Sequence, residues 1–155
     1  GYNLKATDLQ AAVGAAQLEK LPGFVARRRE NWAFLRRALE PLERELLFPE
    51  PGPGSRPSWF GFLITVRPNG PVSRNDLVSH LEAHNIQTRP LFAGNLTRHP
   101  CFQNLREGVD YRVSGTLEVT DQVMNNSFWM GVYPGMTEEQ LGTMAQETLR
   151  LFQVL

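Results

Sequence analysis

Residues 58–66 read SWFGFLITV, nine positions dominated by aromatic and β-branched side chains. That composition predicts a buried strand. Its limits are marked on both sides. Upstream, PEPGPGSRP (49–57) is a connector that no regular element tolerates, and downstream RPNGP (67–71) turns the chain. Two further segments can pair with it. FWMGVYP (128–134) has the same apolar and aromatic character, and IQTRPLF (86–92) predicts a short strand that stops at Pro90.

Working outward, the remaining periodic segments are helical. Thr7 and Gln10 have the spacing of a capping box, and Leu9, Val13 and Ala16 then recur on one face. Ala11, Ala12, Gly14, Ala15 and Ala16 make this first helix small enough in section to pack closely against something large. Pro22 and Gly23 are expected to break it. A second helix is expected from Phe24 to about Glu45, with Val25, Trp32, Leu35, Leu39, Leu42 and Leu46 at helical spacing and Pro41 kinking or ending it. Ser73 with Asp76 caps a helix carrying Leu77, Val78 and Leu81 and ending near Asn85. Thr137 with Gln140 caps a last one carrying Leu141, Met144, Ala145, Leu151 and Phe152. The span 93–120 reads as irregular.

Few strands among packed helices imply an α+β fold with a small, mainly antiparallel sheet. Residues 1–48 form a helical arm and long helix, and residues 58–155 the sheet-bearing part. The 155 residues suit one compact domain, with 41% hydrophobic residues and a formal net charge of zero. Balanced charge gives no basic field for nucleic acid. No apolar run is long enough to span a bilayer, and no charged segment followed by an apolar one opens the chain. The expectation is a soluble cytoplasmic domain. One cysteine, Cys101, can form no internal disulfide and cannot hold a metal alone; beside Pro100 and Phe102 it reads as a small packed hydrophobe.

Local motifs for chemistry are scarce. There is no phosphate-binding G-x-x-x-x-G-K-[ST], no G-x-G-x-x-G after a strand and no H-E-x-x-H. His80 and His84 are four residues apart, a spacing that can bind metal, but no carboxylate nearby completes a site and Glu82 points elsewhere. The pair is therefore expected to be solvated or half-buried, with no metal. The run Arg27–Arg29 points in several directions and is expected to lie in water. TRPLFAGNLTRHP (88–100) is more suggestive, since Arg89, Phe92, Asn95, Arg98 and His99 in one loop suit a phosphorylated or carboxylated small molecule. An ordinary solvated loop explains it equally well.

Taken together, GYNLKATDLQAAVGAAQLEKL (1–21), the arginine-rich helix after it and GVYPGMTEEQL (131–141) resemble the C-terminal third of sugar aminotransferases of the DegT/DnrJ/EryC1/StrS group, which are fold-type-I pyridoxal-phosphate proteins. PSWFGFLITV (57–66), TRPLFAGNLTRHPCF (88–102) and YRVSGTLEVTDQVMNNSFWMGVYPG (111–135) are similar to one branch, the RfbH-type CDP-4-keto-6-deoxy-glucose-3-dehydrases of lipopolysaccharide biosynthesis. The resemblance covers essentially the whole chain.

It implies the small C-terminal domain of an enzyme whose large cofactor domain lies elsewhere. In that branch pyridoxamine phosphate condenses with a CDP-4-keto-6-deoxy sugar and the C3 hydroxyl is lost. A [2Fe–2S] cluster and an NADH-dependent reductase then deliver electrons, in the making of O-antigen dideoxyhexoses. Histidine replaces the Schiff-base lysine there. Of sixteen basic residues only Lys5 and Lys20 are lysines, and both flank the first helix. One cysteine cannot supply cluster ligands. The chain alone is thus expected to be inactive and to hold no cofactor tightly.

By the same resemblance, Asn3 matches an asparagine that reaches the cofactor phosphate of the neighbouring subunit in a homodimer. Phe60 matches an aromatic near the cofactor in the radical half of the chemistry. Arg89, Phe92 and Asn95 would meet the nucleotide sugar, the guanidinium on its diphosphate. A pyridoxal-phosphate nucleotide-sugar aminotransferase is the alternative.

Overall fold

The computed structural model of the chain describes residues 5–153. Four helices, α1 (Asp8–Ala38), α2 (Arg74–Ala83), α3 (Glu118–Asn126) and α4 (Glu138–Gln153), surround a four-stranded sheet. Its strands are β1 (Leu46–Leu47), β2 (Gly61–Val66), β3 (Thr88–Pro90) and β4 (Ser127–Gly131). The order is β1-β2-β4-β3 and every pairing is antiparallel. The α+β expectation therefore holds, and the stretch 58–66 supplies a central strand.

Alternation in β2 separates the two faces of the sheet. Phe62, Ile64 and Val66 are buried, while Gly61, Leu63 and Thr65 are half-buried. Register carries this across the sheet. Phe62 lies opposite Met130, and Ile64 opposite Phe128. Trp32, Leu35 and Leu39 of α1, Leu77 and Leu81 of α2, and Leu141, Met144 and Ala145 of α4 complete one core on that side. The long helix thus shares its core with the strands.

Helix starts follow the sequence closely. Thr7 with Gln10 and Ser73 with Asp76 form reciprocal capping boxes, and Thr137 with Gln140 makes the same pair of bonds ahead of α4. Each satisfies two backbone donors that a helix end would otherwise leave without partners.

Elsewhere the structure corrects the sequence reading. Pro22 and Gly23 do not break the first helix: α1 runs through them for 31 residues. A proline deletes one hydrogen bond and strains one turn, and the alanine-rich turns before it and the Ala- and Arg-containing turns after it have the propensity to continue. The helix ends at Ala38 and not near Glu45. Pro41 lies in a short 3-10 turn, Glu40–Leu42, and Leu46 belongs to β1. The span 93–120 is less irregular than expected. It holds single 3-10 turns at Leu96–Arg98 and Pro100–Phe102, and α3 begins at Glu118. Cys101 is exposed, not packed.

Arg27, Arg28 and Arg29 are likewise not idle in water. Arg27 donates to the Met136 carbonyl at 3.3 Å, and Arg28 to the carbonyls of Trp59 and Phe60 at 2.9 and 3.2 Å. Arg29 donates to Pro57 and Arg56 at 3.0 and 2.6 Å, and buried Asn31 to Tyr133 at 2.9 Å. One stretch of α1 therefore pins the entry to β2 and the exit from β4. Its first turns, from Asp8 through Phe24, stand exposed. On the far side of the core, α2 and α4 are linked by His80 and Glu147, whose Nε2 and Oε2 are 3.1 Å apart.

Candidate functional site

The sheet face opposite the core is only half covered. Register places Leu63 opposite Trp129 and Arg89 on the other side of the same Trp129. Odd positions of β2, Trp129 of β4 and Arg89 of β3 therefore share this open face. The Trp129 ring lies over Gly61: a Cβ there would come within 2.5 Å of Trp129 Cε3 and 3.0 Å of the Met130 carbonyl. Lower on the face, the Thr65 and Ser127 hydroxyls are 2.8 Å apart.

The entry to β2 sends two aromatics in opposite directions. Trp59 has φ +58°, a left-handed conformation that a bulky residue adopts only under constraint. Its indole stacks on Trp32, with centroids 4.1 Å apart and planes 5° from parallel. Phe60, the next residue, packs against Trp129 with centroids at 4.8 Å and remains 69% exposed. The constraint is supplied by Arg28, which holds both carbonyls. Phe60 and Trp129, tilted 55° to one another, thus form an aromatic floor on the face that also carries Arg89, opposite Trp129 in register. Such a surface can stack a planar ring and neutralise an anionic group.

The loop after β3 turns away from this floor. Phe92 has φ +51° and is exposed, beyond Pro90 and hence past the Phe128 level of β4. Asn95 is buried and fully engaged. Its Oδ1 accepts from the Thr97 amide and hydroxyl at 3.1 and 2.7 Å, and its Nδ2 donates to Asp121 Oδ1 at 2.6 Å. Arg98 donates to the other Asp121 oxygen at 2.8 Å. Asp121 on α3 is therefore the fastening point of the loop. Hydrogen bonds from Arg98, then from Asn95, hold its carboxyl below the usual carboxylate range.

The sign of that shift predicts acid behaviour. A carboxylate whose pKa is lower folded than unfolded stabilises the fold above its unfolded pKa, and that stabilisation fades as pH falls through the folded one. The Thr97 and Arg98 amide signals should hold their positions through the ordinary carboxylate range and move only below it. Asp121→Asn should abolish the step, whereas a step that survives would assign it to another group, such as Asp76, whose carboxyl is lowered by Ser73.

Of the residues singled out from sequence, Phe60 and Arg89 are brought to either side of Trp129. Phe92 is near the other end of the strand, and Asn95 faces its own loop and α3. Asn3 lies outside the described residues. Sequence reasoning read FWMGVYP as a strand without separating its two faces, and so did not single out Trp129, which is half-buried on the open face. Strict alternation was the available signal, because Phe128 and Trp129 cannot share a face. It also missed Asp121 and Arg28, whose partners are 26 and 31 residues away.

Comparison with known proteins adds a lineage to this geometry. The family profile for the DegT/DnrJ/EryC1/StrS aminotransferase family matches residues 1–148. Over 141 residues, 91% of the chain, identity is 49% with the lipopolysaccharide biosynthesis protein RfbH of Salmonella typhimurium, of which 31% is covered. Identity over the same share is 48% with the dTDP-4-dehydro-2,6-dideoxy-D-glucose 3-dehydratase of Saccharopolyspora spinosa, of which 29% is covered. The chain therefore spans about three-tenths of the length of these relatives. Among solved structures, an E. coli GDP-4-keto-6-deoxy-D-mannose-3-dehydratase with bound hydrated PLP superposes with a TM-score of 0.80 at 24% identity, over 96% of this chain and 36% of that one. The Helicobacter pylori aminotransferase PseC, involved in the biosynthesis of pseudoaminic acid, gives 0.81 at 15% identity, over 100% and 40%. At these identities the superpositions show a shared fold.

Proposed function

The chain belongs to the DegT/DnrJ/EryC1/StrS aminotransferase family, and on that premise we propose that it is the C-terminal third of a pyridoxamine-phosphate-dependent nucleotide-sugar 3-dehydratase. The substrate class is a CDP-4-keto-6-deoxy sugar, deoxygenated at C3 for a dideoxyhexose of O-antigen. The observation that carries this reading is the 49% identity to RfbH over 91% of the chain, with 48% to a named 3-dehydratase. More distant relatives include both a GDP-4-keto-6-deoxy-D-mannose 3-dehydratase of Yersinia pseudotuberculosis at 26% and the putative pyridoxal-phosphate-dependent aminotransferase EpsN of Bacillus subtilis at 28%, so the reading rests on the two matches at 49% and 48%.

The donors of this chain fit a secondary contact with the cofactor and not its main cradle. Lys5 and Lys20 are both exposed, Lys20 on α1 and Lys5 just before it, and neither is near the aromatic floor in sequence or register. Pyridoxamine phosphate, when bound, supplies the electron sink that lets a hydroxyl leave from the carbon next to the ketone. The part left to this chain is positioning. Phe60 and Trp129, tilted 55° to one another, offer an apolar edge that keeps water from the ring, Arg89 offers a fork for a diphosphate oxygen, and Asp121 with Asn95 keeps the loop carrying Phe92 in place. Asn3 completes the reading as the contact to a partner subunit's cofactor phosphate in a homodimer. A [2Fe–2S] cluster held by residues outside this chain, and an NADH-dependent reductase, would provide the electrons.

The visible spectrum of the complete protein, recorded before and after borohydride, tests this. An iron–sulfur band with no cofactor trapped on the protein is expected. Trapping on a lysine in an iron-free protein would identify an aminotransferase instead. The chain by itself should bind pyridoxal phosphate weakly or not at all in a dialysis titration.

A further inference from the structure

We infer that His80, His84 and Glu147 form a binding site for one divalent transition-metal ion of the zinc class, joining α2 to α4. The site lies on the core side of the sheet and stands independently of the dehydratase reading.

His80 and His84 project from one face of α2, one turn apart, with ring centroids separated by 4.3 Å. Glu147 of α4 reaches both. Its Oε2 is 3.1 Å from His80 Nε2 and 3.5 Å from His84 Nε2, and one ligand atom from each of the three residues lies within 4.8 Å of the others. Zinc bonds of about 2.0–2.2 Å in a tetrahedron require ligand atoms about 3.3–3.5 Å apart. The two measured His–Glu separations bracket that edge, and only the two imidazoles need draw together.

The hydrogen bonding gives the stronger argument. The His84 Nδ1–H donates to the His80 carbonyl at 2.8 Å, so in the neutral ring the lone pair sits on Nε2. With that lone pair aimed at an oxygen of Glu147, 3.5 Å away, the two acceptors are reconciled by a proton on the ring or by a metal cation bound between them. A backbone carbonyl behind one ring nitrogen, orienting the other outward, is also the usual support of a metal-bound histidine. His80 and Glu147 are largely shielded, at 18% and 17% side-chain exposure, so the carboxylate is not dispersed in water. Arg150 approaches only the other oxygen, Oε1, at 3.6 Å and is itself exposed. Two imidazoles and one carboxylate suit zinc, with the fourth position left to water. Sequence alone could not complete this set, because Glu147 is 67 residues from His80.

Isothermal titration of the chain with zinc chloride tests the inference. One ion per chain is expected, with a melting temperature that climbs as zinc is added. His84→Ala, its helicity confirmed by circular dichroism, should bind more than about 100-fold more weakly, since loss of a supporting contact alone costs 10–100-fold. Glu147→Gln should do likewise, and the cobalt-loaded chain should show d–d bands without a thiolate charge-transfer band. No zinc uptake, uptake unchanged by His84→Ala, or uptake abolished by Cys101→Ser would each overturn the assignment.

Discussion

Phe62→Ala is expected to destabilise the chain by about 3–5 kcal/mol, the range for deleting a buried phenyl ring from a packed core. Phe62 has no exposed surface and sits in the middle of the pairing, opposite Met130. Its ring meets Trp32 of α1 at 5.6 Å and Phe48 at 5.5 Å, so one side chain joins sheet, long helix and the segment after β1. Those neighbours are themselves fixed, Trp32 by its stack on Trp59 and Phe48 by Arg36, whose guanidinium carbon lies 5.0 Å from the ring centre. The cavity therefore cannot close by one simple shift. Domains of this size have only about 5–15 kcal/mol in total, so the urea midpoint followed by circular dichroism should fall by a large fraction. Phe62→Leu, which conserves most of the volume, should cost under about 1.5 kcal/mol. If alanine proved as mild as leucine, the ring would not be a keystone and the core side of the sheet would be looser than its burial implies.

Gly94→Ala should be the next most damaging single change, at about 2–4 kcal/mol, the sum of a backbone and an overpacking cost. Gly94 has φ +63°, where a side chain is strained, and an added Cβ would lie 2.5 Å from Met124 Cγ and 2.7 Å from Met124 Cβ. Rotating the methionine could relieve the first contact. The second is set by the backbone of α3, so helix and loop must separate. Separation would break the neighbouring bonds from Asn95 to Asp121 and from the Asn95 amide to Met124 Sδ. Gly108→Ala provides the control. Gly108 has φ +83° with nothing within 4 Å of the added atom, so it should lose only the backbone part, about 1 kcal/mol. Equal losses at the two positions, read from thermal melts, would mean that the close approach to α3 contributes nothing.

How much of this was readable in advance depends on whether the signal was local. Three capping boxes identified three helix starts because both partners sit within four residues of each other. The helix α3 has no such cap: Leu117 stands at its start and makes no side-chain bond there. Its apolar residues also run straight into the aromatics of β4, which hid the boundary. Pro22 misled for the opposite reason, since a strong local signal was outweighed by helix-forming neighbours on both sides. The composition of 58–66 made β2 legible as a strand, but not which of its residues face the core, and Phe60 was singled out only by resemblance to the family. The left-handed turn at Trp59 that aims Phe60 outward was not legible, because it is imposed by an arginine on another element. Arg89 was found by residue type. Asn95 was found too, but burial makes it a fastener of its own loop, a distinction that composition does not carry.

The strand order has a consequence for how the molecule meets others. Its outer strands are the two residues of β1 and the three of β3, the latter stopped by Pro90, which has no amide hydrogen to offer. Almost no open ladder is left for a passing extended chain to extend, and that is the usual first step toward fibrils or swapped strands. The well-paired strands, β2 and β4, are both interior. Crowded folded copies should therefore resist templated aggregation through this sheet, and docking to it has to be made by side chains and helices, where fit can be selective, and not by the backbone, where it cannot.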